Sequence, residues 1–212
     1  MTSHFLLHPT YFPNIASFAV LAQHHVTWEI ADNYQKQTFR NRCHICTDRG
    51  RHMLTIPIRH AGGEQGRQKY KEVHIDNSYQ WQRQHWRSLQ TAYRTSPFFE
   101  FYEEDLAPLF ERRFDFLLDF NFNAIAGICR CLEIEMPKRK TSGYKPSVSC
   151  YQDARFLVNA KKAVPIKQLN YVQVFGDRHG FIKNASVLDL LFNEGSRARD
   201  YLQQQDLNFL HV

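Results

Sequence analysis

The sequence predicts one α/β (or α+β) domain over 1–212: a βαβ-like N-terminal part, hairpin strands, and aromatic-rich helices packed beside the sheet. Composition, length and aromatic content predict one globular domain, and the order of elements given below predicts its class. The 212 residues are 43% hydrophobic and 23% charged with only 9 Gly and 8 Pro, a globular composition. A domain of this length buries roughly 70% of its unfolded surface and needs no metal or disulfide to fold. Aromatic content is 14%, with 17 Phe and 10 Tyr, so rings build much of the core.

The elements follow in order. Phe5-Leu6-Leu7 is a short apolar strand, and Pro9 and Pro13 bound the turn after it. Asn14 caps a helix whose apolar positions Ile15, Phe18, Ala19 and Ala22 keep helical spacing. Val26 to Ile30 is the next strand. Phe39–Thr47 and Met53–Ile58 flank Asp48-Arg49-Gly50-Arg51 as a hairpin with Gly in its turn. Residues 59–69, with three Gly, form a polar, mobile loop. Val73–Ile75 is a brief strand. Asn77 and Gln80 form a capping box for a helix to about Tyr93, with Trp81, His85 and Leu89 on one face. An aromatic helical stretch through Phe110, Phe114 and Leu117 leads into a helix from Ala124 to Leu132. Residues 137–149 are an exposed loop, and Tyr171–Phe175 is a late strand of the same core. Ser186 caps a final helix that Gly195 stops.

Several function classes drop out. No apolar stretch approaches the roughly 20 residues of a membrane span. The opening Met1-Thr2-Ser3-His4 lacks a basic n-region, so a cytoplasmic protein is expected. No P-loop, G-x-S-x-G, H-E-x-x-H or G-x-G-x-x-G occurs, and no motif indicates a cofactor. Cys43-His44-Ile45-Cys46 has zinc-ligand spacing, with Cys129 and Cys131 as the remaining pair. On a regular strand, however, Cys43 and Cys46 point to opposite faces, so the thiols are read as small buried hydrophobes and no metal is predicted.

The net charge of +6 is unevenly spread. Residues 36–72 carry nine Lys/Arg against three acids, and 138–167 carry eight against Asp153 alone. Between them, 98–120 holds seven acids and two arginines. The two basic blocks either meet as an anion-attracting cleft or form a solvated face. The densest polar constellation is Asp32, Tyr34, Lys36, Arg40, Asn41 and Arg42. Strand parity places Lys36, Arg40 and Arg42 on one face, where two guanidiniums suit a phosphate or carboxylate. Pairing with the acidic 98–120 segment is the alternative. His8 and Tyr11 fall in the loop after the first strand, where ligands of parallel sheets gather. Aromatic neighbours keep His85 neutral, as a general base requires, or leave it a half-buried ring with one hydrogen bond.

Together these motifs resemble the WbqC-like family of bacterial proteins. The resemblance rests on His8-Pro9-Thr10-Tyr11-Phe12-Pro13, Asp32 to Arg42, and Leu54-Thr55-Ile56-Pro57-Ile58. It continues through Trp81, His85-Trp86, Leu89, Tyr93 and Pro97-Phe98-Phe99, and then Tyr171, Gln173, Phe175, Gly180-Phe181 and Leu188 to Gly195. His8 departs from the family pattern, where Gln is more frequent. The resemblance implies a participant in surface-polysaccharide or related secondary biosynthesis that modifies an aminated sugar. The expected activity is acyl or aminoacyl transfer to an amine of a nucleotide-linked sugar or related intermediate. His85 would act as base, with Tyr34 and Asn41 orienting substrate. His8, Tyr11, Asp32, Lys36, Arg40, Arg42 and Tyr93 would bind an anionic small molecule, a nucleotide sugar or acyl donor. The alternative is a non-catalytic module for a phosphorylated ligand or RNA.

Overall fold

Short apolar runs with polar ends set the first layer. In the computed structural model, which describes residues 4–59 and 68–211, His4–Leu7 forms strand β1 and buries Phe5, Leu6 and Leu7. The Asn14 Oδ1 accepts the Ser17 N–H at 2.9 Å and starts helix α1, Ile15–Gln23, as the sequence predicts. Every residue from Ile15 to Leu21 is buried, so α1 is enclosed on nearly all sides. Strand β2, His25–Trp28, runs parallel to β1, with His4 opposite His25 and Leu7 opposite Trp28. The βαβ opening is therefore present, and β2 ends two residues before Ile30.

The short strand β5, Gln152–Asp153, adds to the other side of β1, again parallel, giving the order β2-β1-β5. β1 is central, so three strand ends open on one edge. Much of 137–149 is exposed, yet its start lies along β2: Trp28 N–H donates to Arg139 O at 2.9 Å, and Thr141 N–H to Trp28 O at 2.9 Å.

The hairpin consists of β3, Arg42–Thr47, and β4, Gly50–Thr55, in antiparallel register from Arg42↔Thr55 to Thr47↔Gly50. Its turn is only Asp48–Arg49. Gly50, at φ +92°, lets the chain re-enter the ladder earlier than expected. Pro57 has no N–H to extend β4 through to Ile58. Val73–Ile75 contributes isolated bridges, Ile58 to Ile75 and His74 to Phe116, rather than a strand. The Gly-rich stretch 60–67 lies outside the described residues.

Helix α2, Trp81–Tyr93, buries Trp81, His85 and Leu89 on one face as expected. The capping box does not form, because Asn77 Nδ2 is drawn to Phe114 O at 2.9 Å and Gln80 makes no side-chain cap. The aromatic stretch resolves into α3, Phe99–Leu106, and α4, Pro108–Glu111. Helix α5, Leu117–Cys131, starts before Ala124 because Leu117, Leu118 and Phe120 bury its first turn. After α6, Gly176–His179, helix α7, Val187–Glu194, is capped by Ser186 and stopped by Gly195 at φ +58°. Helix α8, Arg197–Gln204, packs on α1. The expected Tyr171–Phe175 strand is absent; Tyr171 and Gln173 are instead held through their side chains, described below. The core is an aromatic cluster in which Phe120 meets Trp81 at 5.2 Å and Phe114 at 5.1 Å between ring centroids.

Candidate functional site

Each strand of the parallel sheet delivers a titratable side chain at its carboxyl end: His8 after β1, Glu29 after β2, and Asp153 with Arg155 at and after β5. Parallel-sheet proteins place their ligands at such an edge. Here it holds a closed charge network. Arg40 is fully buried, and its Nη2 lies 2.6 Å from Asp32 Oδ2 and 3.1 Å from His8 Nε2. A guanidinium only donates, so His8 Nε2 is the acceptor and its proton resides on Nδ1, 3.3 Å from Glu29 O. Burial, then the Arg40 charge, pushes the His8 pKa well below the ordinary value, and the ring is neutral. Glu29 Oε1 accepts from Ala31 N–H at 2.8 Å and Thr141 Oγ1 at 2.9 Å, and its Oε2 lies 3.5 Å from Arg155. Arg155 forks onto Asp153 at 2.9 and 2.6 Å.

This corrects the expectation that Arg40 and Arg42 project together. Arg40 precedes β3, in a turn, and turns inward; strand parity does not govern it. Neither does Arg40 pair with 98–120. Its acid is Asp32, eight residues earlier, and the Tyr70 ring covers it at 5.3 Å.

Arg42 belongs to a neighbouring cleft of about 460 Å³, with Tyr34, Lys36, Asn41, Asp76 and the floor Thr55–Ile58. The Tyr34 hydroxyl donates to Asn41 Oδ1 at 2.9 Å, and Asn41 Nδ2 donates to Ile56 O at 2.9 Å, so the amide is fixed. Burial raises the Tyr34 pKa to about 12, leaving a neutral phenol. The Arg42 Nε is buried without a hydrogen-bond partner, whereas Lys36 stands exposed at the rim. In the same cleft, Asp76 Oδ1 accepts from Ser78 N–H at 3.1 Å and Ser78 Oγ at 2.7 Å, which lowers the carboxyl pKa, and lies 3.9 Å from the exposed Arg59 Nε. Gln37, also at the cleft, holds φ +61°, a strained setting for a residue with a Cβ. Tyr34 lies 6.4 Å from Tyr70 between centroids, so one ring separates the cleft from Arg40.

His85 is neutral as predicted but enclosed. Its Nδ1 meets the Tyr11 hydroxyl at 2.8 Å, the Thr55 backbone also hydrogen-bonds the ring, and burial lowers its pKa to about 4. Both are buried, at 7% exposure for His85 and 0% for Tyr11, behind the strand that floors the cleft. Tyr93 lies elsewhere. Its hydroxyl accepts from Cys46 N–H at 3.0 Å and donates to Asp189 Oδ1 at 2.9 Å. Asp189, fully buried, also takes Tyr171 Oη at 2.5 Å and Gln173 Nε2 at 2.8 Å. The stretch expected as a strand is thus a clamp on this carboxylate. Cys43 and Cys46 are buried free thiols, raised in pKa by desolvation.

Of the expected site residues, the structure brings Tyr34, Lys36, Asn41 and Arg42 together, and His8, Asp32 and Arg40 together behind them. His85, Tyr11 and Tyr93 are apart from the open space. Sequence reasoning missed Glu29, Asp76, Asp153 and Arg155. Glu29 falls inside the expected strand Val26–Ile30, and only the earlier end of β2 at Trp28 puts it at the strand's carboxyl end; the two-residue β5 leaves no periodic signal for Arg155.

The sequence model of the WbqC-like protein family matches residues 8–168. The chain belongs to the WbqC-like family. The matched span begins at His8 and includes every residue of the charge network and the cleft, while the Asp189 clamp lies beyond it. An uncharacterized protein of Mycobacterium tuberculosis, Rv1507c, is 29% identical over 199 residues, covering 80% of this chain and 84% of that one. No solved structure matches the chain. Among the described residues of this WbqC-like protein, no helix is long and apolar enough to cross a membrane.

Proposed function

We propose that the cleft binds a small molecule carrying both an anion and an amine, the chemistry of a nucleotide-linked amino sugar, and that the protein acylates or aminoacylates that amine. One observation carries the reading: Arg42, whose buried Nε has no hydrogen-bond partner, and Lys36 line one cleft with the Asp76 carboxylate, whose own cation, exposed Arg59, stands 3.9 Å off. The cations receive the phosphates and Asp76 receives the ammonium, each by charge-assisted hydrogen bonds. Tyr34 and Asn41, already locked to each other, orient the sugar between them. In the transfer, the ammonium first gives one proton to water at the open cleft; the resulting free amine attacks the acyl carbonyl of an activated donor, the bond to the donor's leaving group breaks, and the second amine proton leaves with that group or to water. His85 supports the floor through Thr55 and exchanges no proton with substrate. Surface-polysaccharide or related biosynthesis in the cytoplasm is the setting this reading adopts.

Calorimetric titration tests it with three probes: uridine diphosphate, a uridine-diphosphate hexosamine with a free amine, and its hydroxyl counterpart. Arg42→Ala is expected to weaken all three by about tenfold or more, since a hydrogen bond to a charged group contributes about 1.5–3 kcal/mol. Asp76→Asn should remove the preference for the amine and leave uridine diphosphate unaffected. Equal affinity of wild type for the amine and hydroxyl compounds sinks the proposal. Binding without amide formation, across acyl thioester and aminoacyl ester donors, would mark a non-catalytic module instead.

A further inference from the structure

A second anion-binding surface lies at the other end of the hairpin. The β3–β4 turn, the exposed face of α2 and the start of α6 enclose a hollow of about 610 Å³, with Arg49, Arg51, Arg87 and Arg178 on its walls. Arg51 also lines an adjoining hollow of about 450 Å³ that carries Lys161, Lys162 and Lys183. All seven cations are exposed, and among the described residues Asp48 is the one acid lining either hollow. Among the described residues none of the seven takes part in an ion pair. Seven cations along one track with no ion-pair partner create a positive potential that attracts anions, and a polyanion most of all because it meets several of them at once.

The track is also held in place. The Arg51 Nη2 donates to Lys183 O at 3.1 Å, and His179 Nε2 lies 2.9 Å from Thr47 O. These contacts fasten the 179–183 segment to both hairpin strands, so the wall shared by the hollows is preformed. Half-buried Phe175 lines the first hollow with the Arg178 guanidinium 5.3 Å from its ring centroid, a flat surface on which a base can stack.

We infer that this track binds single-stranded or looped RNA through its phosphodiester backbone. A compact phosphorylated metabolite fills one hollow and leaves the other's cations unanswered. A chain with one charge per nucleotide answers both, and the Phe175–Arg178 surface accepts any base. The two binding surfaces are separate: Arg42 and Thr55 are at the open end of the hairpin, and Thr47 and Gly50 at its turn. Over the six residues of β3 that separation is about 17 Å at roughly 3.4 Å per residue.

Fluorescence anisotropy of a labelled 20-nucleotide mixed-sequence RNA, titrated with the full chain from 50 to 300 mM KCl, tests the inference. Single-strand binding loses about 0.7 in log affinity per tenfold rise in salt for each neutralised phosphate. Five to seven contacts therefore predict a slope of about −3.5 to −5. The triple variants R49E/R87E/R178E and K161E/K162E/K183E should each bind at least tenfold more weakly, with slopes shallower by about 2. All six positions are exposed, and unchanged circular dichroism and melting temperature confirm folding. Absence of binding at 50 mM KCl, wild-type affinity in both variants, or full displacement by equimolar tripolyphosphate overturns the inference; the last result would assign a compact polyphosphate. Hexosamine-nucleotide binding in the cleft is measured independently, so neither result decides the other.

Discussion

Acidification should destabilise this protein through His85, and the size of the effect distinguishes a buried link from an open catalytic base. The ring is 7% exposed, lies 5.3 Å from Trp81 between centroids, and titrates at about 4. In the unfolded chain a histidine titrates near 6.5, at about 6.5 with the ordinary spread. The unfolded state therefore binds the proton first as pH falls. Stability from the neutral ring is complete above about 6.5 and is lost as the pH drops toward 4. At about 1.4 kcal/mol per pH unit the whole gap corresponds to about 3 kcal/mol, of which about 2 kcal/mol is gone by pH 5. For a chain of this length that is about 4–8 °C in melting temperature. Urea denaturation at pH 7.5 and pH 5 of wild type and His85→Gln reads it directly. Gln retains an acceptor for the Tyr11 hydroxyl but cannot titrate. The variant should start less stable and lose about 2 kcal/mol less than wild type over this interval. An identical pH dependence in both proteins, or a His85 ring signal titrating near 6.5 by NMR, would refute the enclosed neutral ring.

Other perturbations follow from the same geometry. Asp189→Asn leaves at least one buried donor facing the new amide, and should cost about 2–4 kcal/mol in urea denaturation, with Tyr93→Phe costing less. Gly195→Ala places a Cβ 2.7 Å from the Phe98 ring at a positive φ, and should lower the melting temperature measurably while Gly143→Ala, in open space, does not. Asn14→Ala removes the α1 cap at a cost of about 1 kcal/mol, and Asn14→Asp should retain most of it.

The fold was legible where local chemistry and tertiary demand agree. Asn14, the α1 apolar spacing and the β2 run each specify the same βαβ opening, and Ser186 with Gly195 bounds α7. Legibility failed where a distant partner decides. Asn77 has the right spacing for a capping box, yet Phe114 O claims its side chain. Tyr171 to Phe175 has strand composition, but Asp189 takes the polar side chains and no strand among the described residues pairs with it. One wall of the candidate cleft was visible because Tyr34, Lys36, Asn41 and Arg42 lie within nine residues. Asp76 comes from a different stretch, and nothing in its neighbourhood marks it as lining the same cleft as Arg42.

Arg40 illustrates why a cluster of cations in sequence is a poor guide to which of them meets a ligand. Its charge is consumed by Asp32 and His8, and its backbone carbonyl accepts from Asn121 Nδ2 at 2.7 Å. The same Asn121 nitrogen lies 2.6 Å from the Tyr70 hydroxyl, which donates to Pro9 O at 2.6 Å, and Tyr70 N–H donates to Asp32 O at 2.9 Å. Tyr34, the inner wall of the cleft, lies beside that Tyr70 ring. Removing the guanidinium strands a buried carboxylate, a cost of about 3–5 kcal/mol, and loosens the ring on which Tyr34 leans. Arg40→Met should therefore lose ligand affinity without Arg40 ever touching ligand. The double variant Arg40→Met/Asp32→Leu separates the two roles, since it removes both charges together. Thermal denaturation should show it more stable than Arg40→Met alone, and titration should show part of the affinity for the hexosamine nucleotide restored. Stability regained with affinity still abolished would instead place the Arg40 charge in contact with the ligand.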